Sequence, residues 1–209
     1  MKIWGIRDKG NPVRVAIFLA EKGIDVPFEP VDLLAGAHKS PDYLAKNPVA
    51  QVPVLELDDG SCIAETIAIC RYFERVQPEP ALMGRGAVGE ALVEMWQRRI
   101  EFNFYDSVRH AFRHSAPFMT VLEPVQVADW AALNRERIFA ALDMMNHQLE
   151  QQPFLSGPDF TVADITAIFA FQLLSLLGIS LPDHCTAVAR WREKVLARPS
   201  VVSVLGEPA

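Results

Sequence analysis

The sequence predicts an α/β domain followed by an all-helical domain in a chain of 209 residues. Up to residue 77, short apolar runs alternate with helical patterns, whereas beyond residue 86 only the helical period of apolar residues recurs. Residues 78–86 contain two prolines and two glycines, which discourage a continuous helix. We therefore predict an α/β domain at 1–77, a linker at 78–86 and a helical domain at 87–209.

The first domain is predicted in the order β-α-β, a loop or irregular helix, and then β-β-α. Apolar residues at helical spacing predict a helix over residues 13–22, which Gly23 ends. The strands are predicted from short apolar segments at residues 3–5, 27–31, 54–57 and 62–63. A further helix is predicted over residues 65–75.

The second domain is predicted as four helices, over residues 87–115, 127–150, 162–177 and 186–197. In the first of them, Leu92 is among the apolar residues available for burial. The third helix has a well-specified start, since Thr161 and Asp164 form a capping pair. Phe160 and Ile165 flank that pair at the spacing of a hydrophobic staple. Asp164 is therefore predicted to be a folding residue rather than a catalytic one.

The charge balance and the apolar runs restrict the partners and the location. A formal net charge of −6 gives no reason to expect nucleic acid or an anionic membrane as partner. The first ten residues carry Arg7, Asp8 and Lys9 where a signal peptide would need an apolar stretch. The longest apolar run, residues 161–177, is interrupted by polar residues and is better explained as a buried helix. We expect a cytoplasmic protein.

The three cysteines, Cys62, Cys70 and Cys185, do not predict a disulfide framework, because their number is odd and a reducing compartment is expected. No two of them form a C-x-x-C dithiol. His110 and His114 lie four residues apart but without the H-E-x-x-H pattern of a zinc site. We expect no metal.

Three motifs resemble those of a known family. Residues 47–55, Asn-Pro-Val-Ala-Gln-Val-Pro-Val-Leu, and residues 64–69, Ala-Glu-Thr-Ile-Ala-Ile, resemble the glutathione-binding signature of the cytosolic glutathione transferases. Residues 156–164, with the capped helix start, resemble the folding motif of their helical domain. The resemblance, which extends to nu-class, Ure2-like or theta-like bacterial members, implies a thioredoxin-like N-terminal domain and an all-helical glutathione-transferase C-terminal domain. Ala50 departs from the glycine that many members have.

The resemblance implies a glutathione site on the first domain. Val52-Pro53 is similar to the family's cis-proline turn, whose backbone N–H and C=O pair with the cysteinyl part of the ligand. Glu65 would pair with the ligand ammonium, and Thr66, at a helix N-terminus, would bind the γ-glutamyl carboxylate together with Gln51. A proline that begins a strand and a helix cap are the alternative interpretations of these residues.

Two further residues, His38 and Lys39, follow the second predicted strand. In the family context they are candidates for binding the glycine carboxylate of glutathione. A solvated surface pair is an equally good interpretation of these two side chains.

The catalytic residue is expected to stabilise the glutathione thiolate, because the thiolate is the nucleophile. In this family the donor is a Tyr, Ser, Cys or Asn near the end of the first strand. Residues 1–13 contain no Tyr, Ser, Thr or Cys, and Asn11 is their one asparagine, so Asn11 is the candidate for this donor. Asn11 is also a preferred helix cap, since Pro12 follows it, and the two roles compete.

The second-substrate pocket is predicted between the first loop and the long helix after the linker. Its candidates are Arg7, Phe102, Tyr105, Arg109 and Phe112, although aromatic residues at helical spacing are also typical of a core. An apolar, planar electrophile is the expected second substrate.

The resemblance implies a glutathione transferase that adds the thiolate to an electrophilic carbon, or acts as a glutathione-dependent peroxidase or disulfide reductase. Glutathione would be a consumed co-substrate with no further cofactor, and the family's usual assembly is a homodimer. The alternative is a non-catalytic binding or regulatory protein of the same fold, similar to stringent-starvation proteins. The absence of Tyr, Ser and Cys from the first loop favours that alternative, whereas the Val52-Pro53 and Glu65-Thr66 segments favour the enzyme.

Overall fold

The structure is a computed structural model that describes residues 1–207 of the chain. Contacts within the chain divide it into two compact units. The first unit contains Met1–Leu82 together with the segment that begins at Ala197, and the second contains Met83–Leu196.

The first unit is built on a four-stranded mixed sheet. Its strands are β1 (Lys2–Trp4), β2 (Phe28–Glu29), β3 (Val54–Glu56) and β4 (Cys62–Ala64). They lie in the order β2-β1-β3-β4, with β1 parallel to β2 and the other two pairs antiparallel. The helices that accompany this sheet are α1 (Pro12–Lys22), the short α2 (Pro41–Leu44) and α3 (Thr66–Val76). This arrangement confirms the predicted thioredoxin-like α/β fold.

The second unit is helical throughout its regular structure. Its main elements are α4 (Gly86–Arg99), a π-helical stretch (Ile100–Tyr105), α5 (Asp106–Arg113), α6 (Ala128–Gln151), α7 (Val162–Leu176) and α8 (Thr186–Leu196). The first three occupy the span predicted as one long helix, but the wider π-helical turn in the middle was not predicted. Leu92, which was expected to be buried, is exposed on α4. Across residues 1–207, no helix has both the length and the apolar character needed to cross a membrane.

The predicted start of α7 is confirmed. Thr161 and Asp164 form a capping box, and the flanking Phe160 and Ile165 are both buried. The Asp164 carboxylate is fully buried and accepts hydrogen bonds from the Thr161 N–H (3.0 Å), the Leu155 N–H (3.1 Å) and Trp191 Nε1–H (2.8 Å). Asp164 therefore joins three segments of the helical unit, in agreement with a folding role.

The last helix, α9 (Pro199–Leu205), was not predicted, and it groups with the first unit rather than with the helical one. The sequence predicts a helical domain that includes all of residues 87–209. The segment from Ala197 instead belongs to the first unit, because α9 packs against α1. The Glu21 carboxylate on α1 accepts two hydrogen bonds from the Arg198 guanidinium, at 2.7 and 2.8 Å, and a third from the Ser200 hydroxyl. Burial raises the pKa of Glu21, but the hydrogen bonds from Arg198 and Ser200 outweigh it and hold the pKa below its usual value.

Candidate functional site

The sheet register brings the predicted glutathione-binding segments to one edge. On β3, Val54 lies opposite Trp4 of β1 on one side and opposite Ala64 of β4 on the other. Val54 is the first residue of β3 and Ala64 is the last residue of β4, so the turn that precedes β3 and the residues that follow β4 adjoin the same end of this strand pair. The turn before β3, the loop after β1 and the start of α3 therefore meet at this edge.

The turn before β3 has the geometry that the resemblance implies. The Val52-Pro53 peptide bond is cis, and Ala50 has a left-handed backbone with φ of +56°. Across residues 1–207, the described hydrogen bonds leave the N–H and the C=O of Val52 unengaged. An unengaged backbone donor and acceptor next to a strand are suited to pairing with an extended peptide.

Two residues without a predicted role hold this turn in place. The Gln51 carbonyl accepts a hydrogen bond from the Tyr43 hydroxyl at 2.8 Å and another from the Asn47 side-chain amide at 2.9 Å. Burial, with a smaller contribution from Cys62, raises the pKa of Tyr43 to about 12, so its hydroxyl remains a donor. Asn47 is the first residue of the 47–55 motif, which is the sequence signal for its role. The Gln51 side chain itself is exposed.

The start of α3 contains a backbone outlier. Glu65 has φ of +68° and ψ of +121°, a conformation that residues other than glycine rarely adopt. Such strain is concentrated at functional sites, where the surrounding structure enforces it. Glu65 is exposed, whereas Thr66, the first residue of α3, is buried. The side chain of Glu65 does not cap the helix. The first N–H groups of α3 thus have no side-chain cap from Glu65, and N–H groups at a helix N-terminus are suited to binding an anion.

The His38 and Lys39 segment forms a short 3-10 helix (Ala37–Lys39) after β2. His38 is buried, and its Nδ1 atom has no hydrogen-bond partner among residues 1–207. Burial, followed by the charge of Lys39, lowers the pKa of His38, so the imidazole is neutral. Lys39 is exposed. The structure thus places the neighbouring side chains differently, with Lys39 toward solvent and His38 in the interior.

Asn11 precedes α1 with a helical backbone, φ of −57° and ψ of −31°. Its side chain makes no capping hydrogen bond to the helix. Asn11 therefore does not serve as the side-chain cap of α1 in this conformation. In the same loop, exposed Arg7 donates from Nη1 to the Ser203 carbonyl of α9 at 3.2 Å, so this guanidinium is attached to the last helix.

The four second-substrate candidates of the helical unit do not form one cluster. Tyr105 and Phe112 are buried; the Tyr105 ring packs 5.7 Å from Phe169, between ring centroids. Arg109 Nη2 forms an ion pair with Asp106 Oδ1 at 3.0 Å. Phe102, in contrast, is 58% exposed. Tyr105 and Phe112 are thus core residues of this unit. Along the π-helical stretch and α5, some side chains face the core and others face solvent, which is why Phe102 is exposed while Tyr105 and Phe112 are buried.

Phe102 lines a cavity of about 410 Å³ inside the helical unit. Other lining residues are His110, Trp130 and Arg137, with the His110 and Trp130 rings 5.6 Å apart edge to face. The Arg137 guanidinium lies 5.2 Å from the Trp130 ring. This cavity mixes aromatic and polar walls, and Phe102 is its one contribution from the predicted second-substrate group.

The cysteines do not provide a thiol nucleophile at the sheet edge. Burial raises the pKa of Cys70 to about 12, and burial also raises the pKa of the half-buried Cys62. Both thiols are therefore protonated near neutral pH. This is consistent with a site whose nucleophile is supplied by the ligand.

Comparisons with known proteins agree with this architecture. The family model described as glutathione S-transferase, N-terminal domain, matches residues 1–75, and the model of the C-terminal domain matches residues 110–199. Glutathione S-transferase 2 of Saccharomyces cerevisiae is 34% identical over 197 residues, which cover 93% of this chain and 84% of that protein.

Two solved structures superpose closely. Gtt2 from Saccharomyces cerevisiae has a TM-score of 0.93 and 33% identity, over 98% of this chain and 100% of that one. A glutathione S-transferase domain-containing protein from Marinobacter aquaeolei VT8 has a TM-score of 0.92 and 39% identity, over 96% of this chain and 100% of that one. From its two matched domains and these relatives, the chain belongs to the glutathione S-transferase family.

Proposed function

We propose that the protein binds glutathione at the sheet edge and activates its thiol for attack on a second substrate. The thiolate sulfur forms a bond to an electrophilic carbon, the leaving group departs with its electron pair, and the thiol proton passes to solvent. A hydroperoxide or a disulfide is the alternative acceptor at the same sulfur. Glutathione is consumed, and the residues invoked belong to the first unit.

The observation that carries the proposal is that the Val52-Pro53 turn and the start of α3 adjoin the same end of β3 and β4. The cysteinyl backbone of glutathione would pair with the unengaged N–H and C=O of Val52, as an added strand pairs with a sheet edge. Because Val54 pairs with Ala64 and α3 begins two residues after Ala64, the γ-glutamyl group would reach Thr66 and the first turn of α3. Glu65 supplies the carboxylate that the ligand ammonium requires.

The other end of the ligand would extend toward the segment after β2. Exposed Lys39 supplies a cation for the glycine carboxylate, and Gln51 supplies an amide near the γ-glutamyl end. His38 would act as a neutral donor or acceptor if ligand binding exposes its ring, because its Nδ1 atom has no partner in the described residues.

Asn11 is our choice for the residue that stabilises the thiolate. It lies in the loop that leaves β1 at the same sheet edge, and its carboxamide is not used as a helix cap. A hydrogen bond to a charged group contributes about 1.5–3 kcal/mol, which corresponds to roughly one to two units in the pKa of the bound thiol. The N-terminus of α1 adds a favourable dipole.

Binding is tested by titration calorimetry with reduced glutathione and then with glutathione disulfide. We expect affinity in the micromolar to low-millimolar range, and at least about tenfold weaker binding for Thr66→Val and Glu65→Gln, the effect of losing one charged hydrogen bond. Thr186→Val is the matched control, since Thr186 also begins a helix. Equal binding by all four proteins would refute the site.

Turnover is tested with an activated aryl halide, a hydroperoxide and a small disulfide. We expect Asn11→Ala to lower kcat/KM by at least about tenfold and to move the pH–rate profile to higher pH, with the glutathione affinity nearly unchanged. Asp8→Ala, an exposed change in the same loop, is the control. An unchanged rate in Asn11→Ala would remove Asn11 from the mechanism. Glutathione binding without turnover of any acceptor would instead support the non-catalytic alternative.

We also propose a cytoplasmic homodimer, in line with the expectation from the family. Large apolar side chains are exposed on the helical unit, among them Phe102, Leu133 and Phe139. A dimer interface that covers these side chains would remove their apolar surface from water. Light scattering coupled to gel filtration would measure the mass, and a value of one chain at micromolar concentration would contradict the dimer.

A further inference from the structure

Three side chains of the types that bind metal ions meet in the helical unit, whereas every residue invoked for glutathione belongs to the first unit. Asp143 lies on α6, and His184 and Cys185 lie immediately before α8. One donor atom from each of the three lies within 4.8 Å of the other two. We propose that this cluster binds one zinc-like divalent metal ion through the Cys185 thiolate, the His184 imidazole and the Asp143 carboxylate, with water as the fourth ligand.

The donor types favour zinc over the other common divalent ions. One sulfur, one nitrogen and one oxygen form a mixed set of the kind that Zn²⁺ accepts in tetrahedral sites, whereas Mg²⁺ and Ca²⁺ prefer oxygen ligands alone. Bonds of about 2.0–2.3 Å to a tetrahedral ion place the donor atoms roughly 3.3–3.7 Å apart. The separations in the cluster, at most 4.8 Å, need to change by about 1 Å.

The side chains that must move are free to do so. His184 Nε2 and Asp143 Oδ1 are 2.7 Å apart, so this hydrogen bond would open to admit the ion. Their side chains are 66% and 59% exposed, and an exposed pair of this kind contributes little to stability. The ion therefore replaces a weak contact. Cys185, at 1% exposure, lies beneath the pair, and the ion would enter from the solvent side.

The backbone beneath the cluster is already held in place. Asn146, one helical turn beyond Asp143, accepts hydrogen bonds from the N–H groups of Ala187 (3.0 Å) and Val188 (3.3 Å) with its Oδ1 atom. The Cys185 N–H donates to the Pro182 carbonyl at 2.9 Å. These bonds dock the start of α8 on α6 without any metal, so only two exposed side chains have to reorganise on binding.

Two other interpretations of the cluster explain less. An isolated surface ion pair accounts for Asp143 and His184 but gives no reason for a thiol within reach of both. A Cys-His-Asp nucleophile needs its sulfur to reach a substrate, and Cys185 is almost entirely covered. A metal ion uses all three donors at once and needs access for only a small hydrated ion.

The test uses the full chain, stripped of metal and free of glutathione, which is itself a chelator. Cobalt(II) is titrated as a spectroscopic substitute and zinc by calorimetry. We expect one equivalent to bind, with an intense thiolate-to-cobalt charge-transfer band and tetrahedral visible bands. Cys185→Ser should abolish the charge-transfer band. His184→Ala and Asp143→Asn, at exposed positions where folding is not at risk, should weaken binding by at least about tenfold.

Two matched variants serve as controls. Cys62→Ser removes the half-buried thiol of the first unit, and His147→Ala removes an exposed histidine one turn from Asp143 on α6. Neither should change the stoichiometry or the affinity. Absence of a charge-transfer band, its persistence in Cys185→Ser, or equal loss in His147→Ala would overturn the proposal. Glutathione turnover should be unchanged in His184→Ala, so failure here is independent of the proposed function.

Discussion

Replacing Asp164 by alanine should destabilise the protein about as strongly as truncating a large core side chain does. The change leaves three buried donors without an acceptor: the N–H groups of Leu155 and Thr161 and the indole Nε1–H of Trp191. Each unsatisfied donor costs about 1–3 kcal/mol. Partial relaxation and water entry reduce the sum, so we expect a loss of about 3–5 kcal/mol in the free energy of unfolding at pH 7.

The assay is urea unfolding followed by far-ultraviolet circular dichroism, with the wild-type protein and Asp159→Ala as references. Asp159 is an exposed carboxylate in the same loop and should change the free energy of unfolding by less than about 0.5 kcal/mol. A loss below about 1 kcal/mol for Asp164→Ala, or one equal to that of Asp159→Ala, would refute the argument that these three hydrogen bonds hold the cap.

The pH dependence supplies a second check on the same carboxylate. Burial raises the pKa of Asp164 from 3.8 to about 6, against the opposing effect of its hydrogen bonds. Between these values the folded protein binds more protons than the unfolded chain, so this group's contribution to stability falls as the pH rises. This contribution is fully present at pH values below 3.8, the pKa of Asp164 in the unfolded chain. It declines by about 3 kcal/mol as the pH rises past about 6, the pKa of Asp164 in the folded protein. Asp164→Asn should lack this slope, and parallel pH curves would contradict the assignment.

Three further changes test the backbone and the contacts of α9. Arg198→Ala should lower the free energy of unfolding by about 1–3 kcal/mol at pH 7. Because the pKa of Glu21 is lowered in the folded protein, this stabilisation is present at pH values above the ordinary Glu pKa of 4.5. It is lost as the pH falls through the lowered pKa of Glu21 in the folded protein. Urea unfolding at neutral and acid pH measures both effects, and an equal loss at pH 3 and pH 7 would contradict the pairing. Gly84 has φ of +88°, and a Cβ added there would lie 2.4 Å from a carbonyl oxygen of α4. Gly178 is the control, since it has a similar φ of +65°, but an added Cβ there would have no atom of residues 1–207 within 4 Å apart from its chain neighbours. Gly84→Ala should therefore lower the free energy of unfolding by about 1–3 kcal/mol more than Gly178→Ala does. Equal melting temperatures of the two variants would argue against the clash. Ala50→Gly relieves a left-handed backbone cost of about 1–2 kcal/mol and loses about 0.5–1 kcal/mol of chain entropy. It should therefore stabilise the protein by up to about 1.5 kcal/mol in the same assay. A clear loss of stability would mean that the Ala50 side chain has packing partners.

Local signals made part of the fold predictable from sequence. The start of α7 was predicted correctly because its cap, Thr161 and Asp164, and its flanking apolar residues lie within six positions of one another. The cis bond before Pro53 was predicted because the 47–55 motif resembles a known turn. In both places, the residues that determine the geometry are neighbours along the chain.

Features that depend on distant residues or on helix phase were not predictable. The hydrogen bonds of Glu21 with Arg198 join residues at opposite ends of the sequence, and no local pattern indicates them. In the π-helical stretch, Phe102 faces outward while Tyr105 is buried. Both are aromatic, and the apolar period of an ordinary helix cannot assign their directions once the turn widens.

The grouping of α9 with the first unit has a consequence for synthesis on the ribosome. That unit contains the chain up to Leu82 and again from Ala197, so the helical unit is inserted within it. At usual rates of translation, roughly ten seconds separate the emergence of these two parts. The domain that is synthesised first is therefore the one completed last. A nascent chain arrested before Arg198 should have a protease-resistant helical unit and a first unit that is still open to cleavage.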